Sequence, residues 1–214
     1  MGAPHQTQTV PHSVRPIAVK FIKPRIGHDE AVKRLERRRF CLVPRRSTTF
    51  ASSRLPYLEL VWLPYYVTTI EVNSKAGTGH VTASVEGYSG AFALFDINKL
   101  DFEDTADREC FTPLMTAENA AEIARTRLVR TAFQVGRGIK NLRLGSGCAV
   151  EIVQYPYWVY YYERRRGRLD IRVLDAVTGS KSGQQIRISL LTAFTSSQQH
   201  RSRADKSRPP ESQE

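Results

Sequence analysis

The sequence has few of the residues and motifs that identify an enzyme. Its three cysteines, Cys41, Cys110 and Cys148, lie far apart, are odd in number, and form no CxxC or Cys/His pair at metal-ligand spacing. We expect each of them to be a small buried apolar residue. The five histidines fall in no HExxH or HxxxH frame. Nothing in the residues therefore favours catalysis, and we predict a non-enzymatic protein with no cofactor and no metal.

Long apolar runs and nucleotide-binding loops are also missing. No stretch approaches the roughly 20 apolar residues that cross a bilayer, and the opening MGAPHQTQTVPHSVRPIAVKF has no continuous apolar region of a secretory signal. We therefore expect a cytoplasmic protein without membrane insertion. The stretch GRGIKN at 136–141 lacks the GxxxxGK[ST] spacing, which excludes a P-loop.

Charge is plentiful but unevenly placed along the 214 residues. The net charge is +11, yet residues 1–50 carry eleven Lys/Arg against three Asp/Glu, and residues 51–110 carry four against nine. A basic balance favours an anionic partner. The basic stretch RLERRRF at 34–40 is either an exposed helix end or an anion-binding patch. The acidic stretch at 95–110 is either a solvated connection or an internal counter-charge for the basic turns.

An internal duplication is the main positive feature of the sequence. Residues 59–71, ELVWLPYYVTTIE, match residues 151–163, EIVQYPYWVYYYE, at six of thirteen positions. Chance would give fewer than one identity, at about one in sixteen for each position. The identical pairs are Glu59/Glu151, Val61/Val153, Pro64/Pro156, Tyr65/Tyr157, Val67/Val159 and Glu71/Glu163.

The duplication extends to both sides of this aromatic strand. A turn rich in glycine and basic residues follows each copy, and a second strand then ends in VEGYSG at 85–90 or LDAVTG at 174–179. A helical pattern precedes each hairpin, at 27–40 and at 116–136, where Thr116 is a plausible N-cap. Each copy is therefore predicted as a helix followed by antiparallel strands.

These patterns predict an α+β protein with two tandem repeats packed as one pseudo-symmetric body. Additional strands are expected at 91–97 and at 187–194. The ends of the chain are polar and charged, which favours disorder. The predicted divisions are a flexible segment at 1–25, repeat 1 at 26–97, an acidic linker at 98–111, repeat 2 at 112–194 and a disordered tail at 195–214.

A helix, an aromatic strand, a glycine turn and a strand closing on LDAVTG resemble the PepSY-type repeat, whose second strand often ends in Val-Asp-Ala-x-Thr-Gly. The matching residues are 174–179, in the second copy. The resemblance implies a non-enzymatic inhibitory or interaction domain outside the cytoplasm. Asp175 and Thr178 also have a structural interpretation, as a turn in which both bond the local backbone and Gly179 takes a positive φ.

The stretch at 155–168 combines aromatic residues with arginines and is the candidate binding surface. In a strand its aromatic side chains alternate between two faces, so both faces are aromatic. One interpretation is a platform for single-stranded nucleic acid, with bases stacked on the rings and arginines on phosphates. The favoured interpretation buries the rings between the two copies and leaves the arginines on a solvated turn. We also predict a binding module whose partner is another protein. The candidate site residues are Tyr157, Trp158, Tyr160, Tyr162, Arg164, Arg165, Arg166 and Arg168.

Overall fold

A computed structural model describes residues 19–36, 56–74, 77–103, 110–135, 143–164 and 167–206. In these ranges the chain has an α+β fold, with three helices on a mixed seven-stranded sheet. The strands are β1 (Lys20–Ile22), β2 (Tyr57–Ser74), β3 (Gly77–Glu86), β4 (Phe92–Leu94), β5 (Phe102–Glu103), β6 (Arg143–Glu163) and β7 (Leu169–Asp175). The helices are α1 (His28–Glu36), α2 (Ala117–Val135) and α3 (Gln184–Lys206), with a 3-10 turn at Ile97–Lys99.

The two aromatic strands form the centre of the sheet. β2 and β6 pair antiparallel from Tyr57 opposite Tyr161 to Asn73 opposite Arg143, with a bulge after Ile70. The two aromatic strands therefore meet edge to edge in one sheet, and do not stack face to face as the sequence led us to expect.

Each central strand tolerates a proline because of its position in the ladder. The Pro64 carbonyl accepts the Gly87 N–H at 2.9 Å, and the Pro156 carbonyl accepts the Ala176 N–H at 3.2 Å. Since the N–H and C=O of one strand residue point to the same side, the missing proline N–H faces away from the β2–β6 ladder. The prolines therefore remove no bond from the pairing of the two strands.

The remaining strands complete the two sides of this centre. β3 pairs with β2 and carries β4, and the outer edge of β6 is shared by two strands. β1 lies parallel to the first half of β6, with Lys20 opposite Val153. β7 lies antiparallel to the second half, from Asp175 opposite Tyr157 to Leu169 opposite Glu163. β5 extends the sheet beyond β1.

Helices α1 and α2 cover the face formed by the even-numbered residues of β2 and β6. Ala31 and Leu35 of α1 pack against Trp158 and Tyr160. Ala120, Ala124 and Leu128 of α2 pack against Tyr66 and Ile70 in the same way. The two predicted helices therefore exist, and the N–H of Asn119 reaches the Thr116 hydroxyl at 3.3 Å, as a helix N-cap does. Residues 37–40 of the first prediction lie outside the described residues.

Helix α3 covers the opposite, odd-numbered face and corrects two predictions. Leu190 and Ala193 pack with Tyr65, Tyr157 and Val159 in one buried cluster. The strand predicted at 187–194 is part of this helix, and the helix continues to Lys206 through residues predicted as a disordered tail. The apolar residues that face the sheet recur three to four positions apart, which is a helical spacing and not the alternation of a strand. Residues 207–214 lie outside the described part of the chain.

Two other predicted divisions contain regular structure. The segment predicted to be flexible, 1–25, includes β1, and the acidic linker at 98–111 includes β5, which pairs with β1. Residues 1–18 and 104–109 are outside the described ranges. The strand expected at 91–97 is present in shorter form as β4. Among the described residues, none of the helices is long and apolar enough to cross a membrane.

The turn after β7 has the structure that its sequence predicts. Asp175 accepts the N–H groups of Val177 and Thr178 at 2.8 and 2.9 Å, and the Thr178 hydroxyl accepts the N–H of Ser180 at 3.2 Å. Gly179 has a φ of 71°, where a side chain would be strained. The structural interpretation of Asp175 and Thr178 is therefore confirmed.

Candidate binding surface

Three of the predicted binding aromatics belong to the core. Tyr157, Trp158 and Tyr160 are 5%, 8% and 3% exposed. The Trp158 indole donates a hydrogen bond to the Ile26 carbonyl at 2.7 Å, and the ring of His28 meets it edge to face with centroids 5.8 Å apart. These rings are therefore packed between sheet and helices and present no face on which a base could stack.

On the α3 side, the tyrosine hydroxyls find their hydrogen-bond partners inside the protein. The hydroxyls of Tyr65 and Tyr157 are 2.6 Å apart, and the Tyr155 hydroxyl donates to Asp175 at 3.0 Å. Burial raises the pKa of Tyr65 and of Tyr157 above the ordinary tyrosine value. Both hydroxyls are therefore neutral at physiological pH and hold the core together without acting as acids.

A buried carboxylate fastens α3 to this cluster. Glu86 is fully buried and accepts the N–H of Tyr88 at 3.0 Å and the N–H of Ser89 at 2.7 Å. The Ser189 hydroxyl of α3 donates to the same carboxylate at 2.7 Å. These bonds compensate the cost of burying a polar group, so Glu86 has a structural role.

The exposed part of the predicted site lies where β6 turns into β7. Arg164 and Arg168 are exposed, and Tyr162 is half-buried. Gly167, in the turn between the two arginines, has a φ of 72°. The predicted site residues Arg165 and Arg166 lie outside the described residues. Of the eight predicted positions, the structure therefore places Tyr162, Arg164 and Arg168 together at this end of the sheet.

One carboxylate organises the arginines of the hairpin. Asp170 accepts hydrogen bonds from the Tyr162 hydroxyl and from the backbone N–H of Ile171, both at 2.8 Å. The Arg164 Nε lies 2.5 Å from it, and Arg187 of α3 also bonds it. Burial alone would raise the pKa of Asp170, but these hydrogen bonds and the two guanidinium charges outweigh it and hold the pKa below its usual value. Two cations thus share this one anion, and the exposed Glu163 adds a second carboxylate to the same hairpin.

The same end of the sheet exposes residues that the sequence did not single out. Tyr57 is 51% exposed and its ring stacks on Tyr161 at a centroid distance of 6.0 Å. Leu169 is 72% exposed. Arg172 lies 4.8 Å from the centre of the Tyr162 ring and donates to the Leu35 carbonyl at 2.8 Å. We call the following residues, which lie on both faces of this end of the sheet, the hairpin-end surface: Tyr57, Tyr162, Arg164, Arg168, Leu169, Asp170, Arg172 and Arg187.

The missed members differ in the signal that could have revealed them. Tyr57 is predictable only once β2 and β6 are known to pair, because that pairing places its ring on Tyr161 at this end of the sheet. Arg187 depends on α3, which was predicted as a strand. Leu169 and Arg172 could have been found from the sequence, because both belong to the predicted strand that follows the basic turn.

The described residues contain no group of three His, Cys, Asp or Glu side chains that could hold a metal ion. His28 packs on Trp158, and His80 is exposed on β3. Cys110 is exposed, which corrects the expectation that it is buried. Cys41 is outside the described ranges.

Comparison with known proteins adds no relative. No protein-family model matches the chain, and no curated protein and no solved structure matches it significantly.

Proposed function

We propose that this protein is a non-enzymatic binding module that recognises an acidic segment of a partner protein through the hairpin-end surface. The observation that carries the proposal is the charge around Asp170. Arg164 and Arg187 share this single carboxylate, and Arg168 stands exposed beside them. Exposed guanidinium groups are suited to bind carboxylates, because a guanidinium offers paired N–H donors in a planar fork.

The apolar residues of the surface favour a protein over nucleic acid. Leu169 is the most exposed large apolar side chain of the described residues and lies on the arginine hairpin. An aliphatic side chain offers no ring on which a base can stack, whereas protein interfaces combine apolar and aromatic groups with arginine. A nucleic-acid platform needs several open rings, and Trp158 and Tyr160 are buried. Tyr57 remains as one open ring, so binding of single-stranded nucleic acid stays the second candidate.

The proposal is tested with a fluorescently labelled peptide that alternates glutamate with leucine, and with a matched peptide in which glutamine replaces glutamate. We expect the acidic peptide to bind and its affinity to fall as salt rises, because the contacts are between exposed charges. Arg168→Ala is expected to weaken binding about tenfold, as the loss of one charged contact of about 1.4 kcal/mol does. Lys33→Ala removes an exposed charge from α1 and is the matched control, expected to leave binding unchanged.

A labelled single-stranded oligonucleotide tests the second candidate in the same buffer. If it binds more tightly than the acidic peptide, with a steep loss of affinity as salt rises, the surface is a phosphate-binding one and the protein-partner proposal is wrong. If neither probe binds at low ionic strength, the hairpin-end surface has no anionic partner and both candidates are wrong.

We also propose that the chain consists of two copies of one unit related by an approximate two-fold axis between β2 and β6. The ladder supports this, because Pro64 lies opposite Gln154 while Pro156 lies opposite Trp62, as exchange of two copies requires. The hydroxyl contact at the centre joins Tyr65 to Tyr157, which are identical positions of the repeat.

The turns that close the two hairpins support the same relation. Tyr65 pairs with Glu86, and Tyr157 pairs with Asp175. The Glu86 carbonyl accepts from Gly90 N–H at 3.0 Å, and that of Asp175 accepts from Gly179 N–H at 2.9 Å. The φ angles of the two glycines are 69° and 71°.

The helices are attached in corresponding ways. The Tyr66 hydroxyl donates to the Met115 carbonyl at 2.6 Å just before α2, and the Trp158 indole donates to the Ile26 carbonyl at 2.7 Å just before α1. An experimental structure tests the proposal: the units are expected to superpose with Pro64 on Pro156, and a superposition that pairs other residues would contradict it. The PepSY-like character of the second unit and a cytoplasmic location stay predictions.

A further inference from the structure

Helix α3 has apolar side chains on two sides, and the sheet covers only one of them. Leu190 and Ala193 are fully buried against the sheet, whereas Ile188 and Leu191 are 54% and 50% exposed. A helix on a protein surface normally turns one apolar stripe inward and a polar face outward. The outward apolar residues of α3 therefore need an explanation other than the core.

The exposed residues follow the spacing of a helix-pairing seam. Gln184, Ile188, Leu191 and Thr195 are all exposed and are separated by four, three and four positions. This alternation places them in one line along the helix, as the core positions of a two-helix coiled coil are placed. The line has two aliphatic residues at its centre and an uncharged polar residue at each end. We call these four residues the α3 seam.

The charge of α3 indicates what packs on this seam. Between Gln184 and Gln198 the helix has a single charged residue, Arg187, and its guanidinium is bonded to Asp170. A quarter of the whole chain is charged, so this outer face is unusually neutral. A neutral seam gives no electrostatic preference to a charged partner. It can meet an identical seam without placing like charges together.

We propose that the α3 seam is a dimer interface that packs antiparallel against the same seam of a second copy of this chain. In antiparallel register Ile188 lies opposite Leu191 of the second copy, and Gln184 lies opposite Thr195. The two-fold axis passes midway between Ile188 and Leu191 of each helix. Each of the two contacts therefore occurs twice, as an isologous interface requires. The Thr195 hydroxyl already donates to helix carbonyls, which leaves it free to accept from the opposing Gln184 amide.

This interface goes beyond the proposed function and does not involve the arginines that bind the acidic segment. One pair of short seams buries less surface than the roughly 1,200 Å² of a stable interface. The dimer is therefore expected to be weak, with a dissociation constant of about 10 μM or higher. It forms at high local concentration, where two hairpin-end surfaces on one dimer would bind a multivalent acidic partner more tightly than one does.

Sedimentation velocity of the full chain, over about 1 μM to about 1 mM, tests the proposal. The unaltered protein is expected to shift from monomer to dimer within this range. Leu191→Asp places two buried like charges close to the axis and is expected to raise the dissociation constant about tenfold or more. Gln185→Asp introduces the same charge at an exposed position of α3 outside the seam and is expected to dimerise like the unaltered protein. Circular dichroism checks that each variant is folded. If Leu191→Asp is unfolded, Leu191→Gln is used in its place.

The antiparallel register is tested by disulfide trapping in a variant without the native cysteines. Gln184→Cys mixed with Thr195→Cys is expected to give a cross-linked pair under mild oxidation. Either variant alone is not, because eleven residues of helix separate the two positions by about 16 Å. A protein that stays monomeric throughout, a dimer unaffected by Leu191→Asp, or a cross-link formed by Gln184→Cys alone would each overturn the proposal. Loss of peptide binding with dimerisation intact would overturn the proposed function only.

Discussion

The middle of β6 and its far end have the same kind of sequence and opposite environments. Residues 155–160 are enclosed, with β2 along one edge, β7 along the other from Tyr157 onward, and helices on both faces. Residues 162–164, 167 and 168 lie beyond this enclosure, because the pairing of β2 with β6 ends at Tyr57 and Tyr161 and the chain turns at Gly167. Aromatic identity therefore does not decide burial. The position of each ring relative to the strand ends and the covering helices decides it.

The polar atoms of the two regions differ accordingly. In the middle, the hydroxyls of Tyr65 and Tyr157 bond to each other, whereas Tyr155 donates to Asp175 and Tyr160 donates to Glu36. At the far end, Tyr161 bonds to Glu59 at 2.6 Å and Tyr162 bonds to Asp170 beside exposed arginines. The first arrangement serves stability, whereas the second leaves charge at the surface where a partner can reach it.

The largest expected effect comes from removing a ring of the enclosed region. Trp158→Ala is expected to lower the free energy of unfolding by about 3–5 kcal/mol, because it leaves a cavity between β6 and α1 and an unused Ile26 carbonyl. Tyr57→Ala removes an aromatic ring from the open end and is expected to cost less than about 1 kcal/mol. Urea denaturation followed by circular dichroism measures both. Equal losses for the two variants would contradict the division between the regions.

High pH is expected to destabilise the enclosed region next most strongly. The pKa values of Tyr65 and Tyr157 are raised in the fold by burial, whereas the unfolded chain ionises its tyrosines near pH 10. The stability that comes from keeping them neutral is complete below pH 10 and is lost as the pH rises above it, by about 1.4 kcal/mol per tyrosine for each pH unit. The free energy of unfolding measured from pH 9 to pH 11 is expected to fall less steeply for the double variant Tyr65→Phe with Tyr157→Phe. An unchanged slope would show that these two hydroxyls ionise in the fold.

The smallest effect concerns the carboxylate at the open end. Asp170→Asn is expected to cost about 1–3 kcal/mol at neutral pH, because it weakens the bonds from Tyr162, Arg164 and Arg187. The pKa of Asp170 is lowered in the fold, so its contribution is present above the unfolded value of about 4 and is lost as the pH falls through the folded value. The variant is therefore expected to lose less stability than the unaltered protein between pH 5 and pH 2. An identical loss of unfolding free energy between pH 5 and pH 2 in the two proteins would contradict this role of Asp170.

Much of the local structure followed from the sequence alone. The starts of α1 and α2, the central strands, and the turn closed by Asp175 and Gly179 were all predicted, because capping residues, alternation and glycine act over a few neighbouring positions. The candidate site was predicted in its exposed part, at Tyr162, Arg164 and Arg168, since a basic turn between two strands is a local pattern too.

The tertiary structure decided what the local patterns could not. Helix α3 was predicted as a strand because apolar residues on two of its faces, such as Leu190 and Leu191, obscure the helical period. Whether Trp158 faced solvent or a helix depended on contacts between residues more than a hundred positions apart, such as its bond to Ile26. Local patterns determine which segments are helices and strands. Which faces are buried depends on how distant segments pack, because burial is a property of the whole assembly of elements.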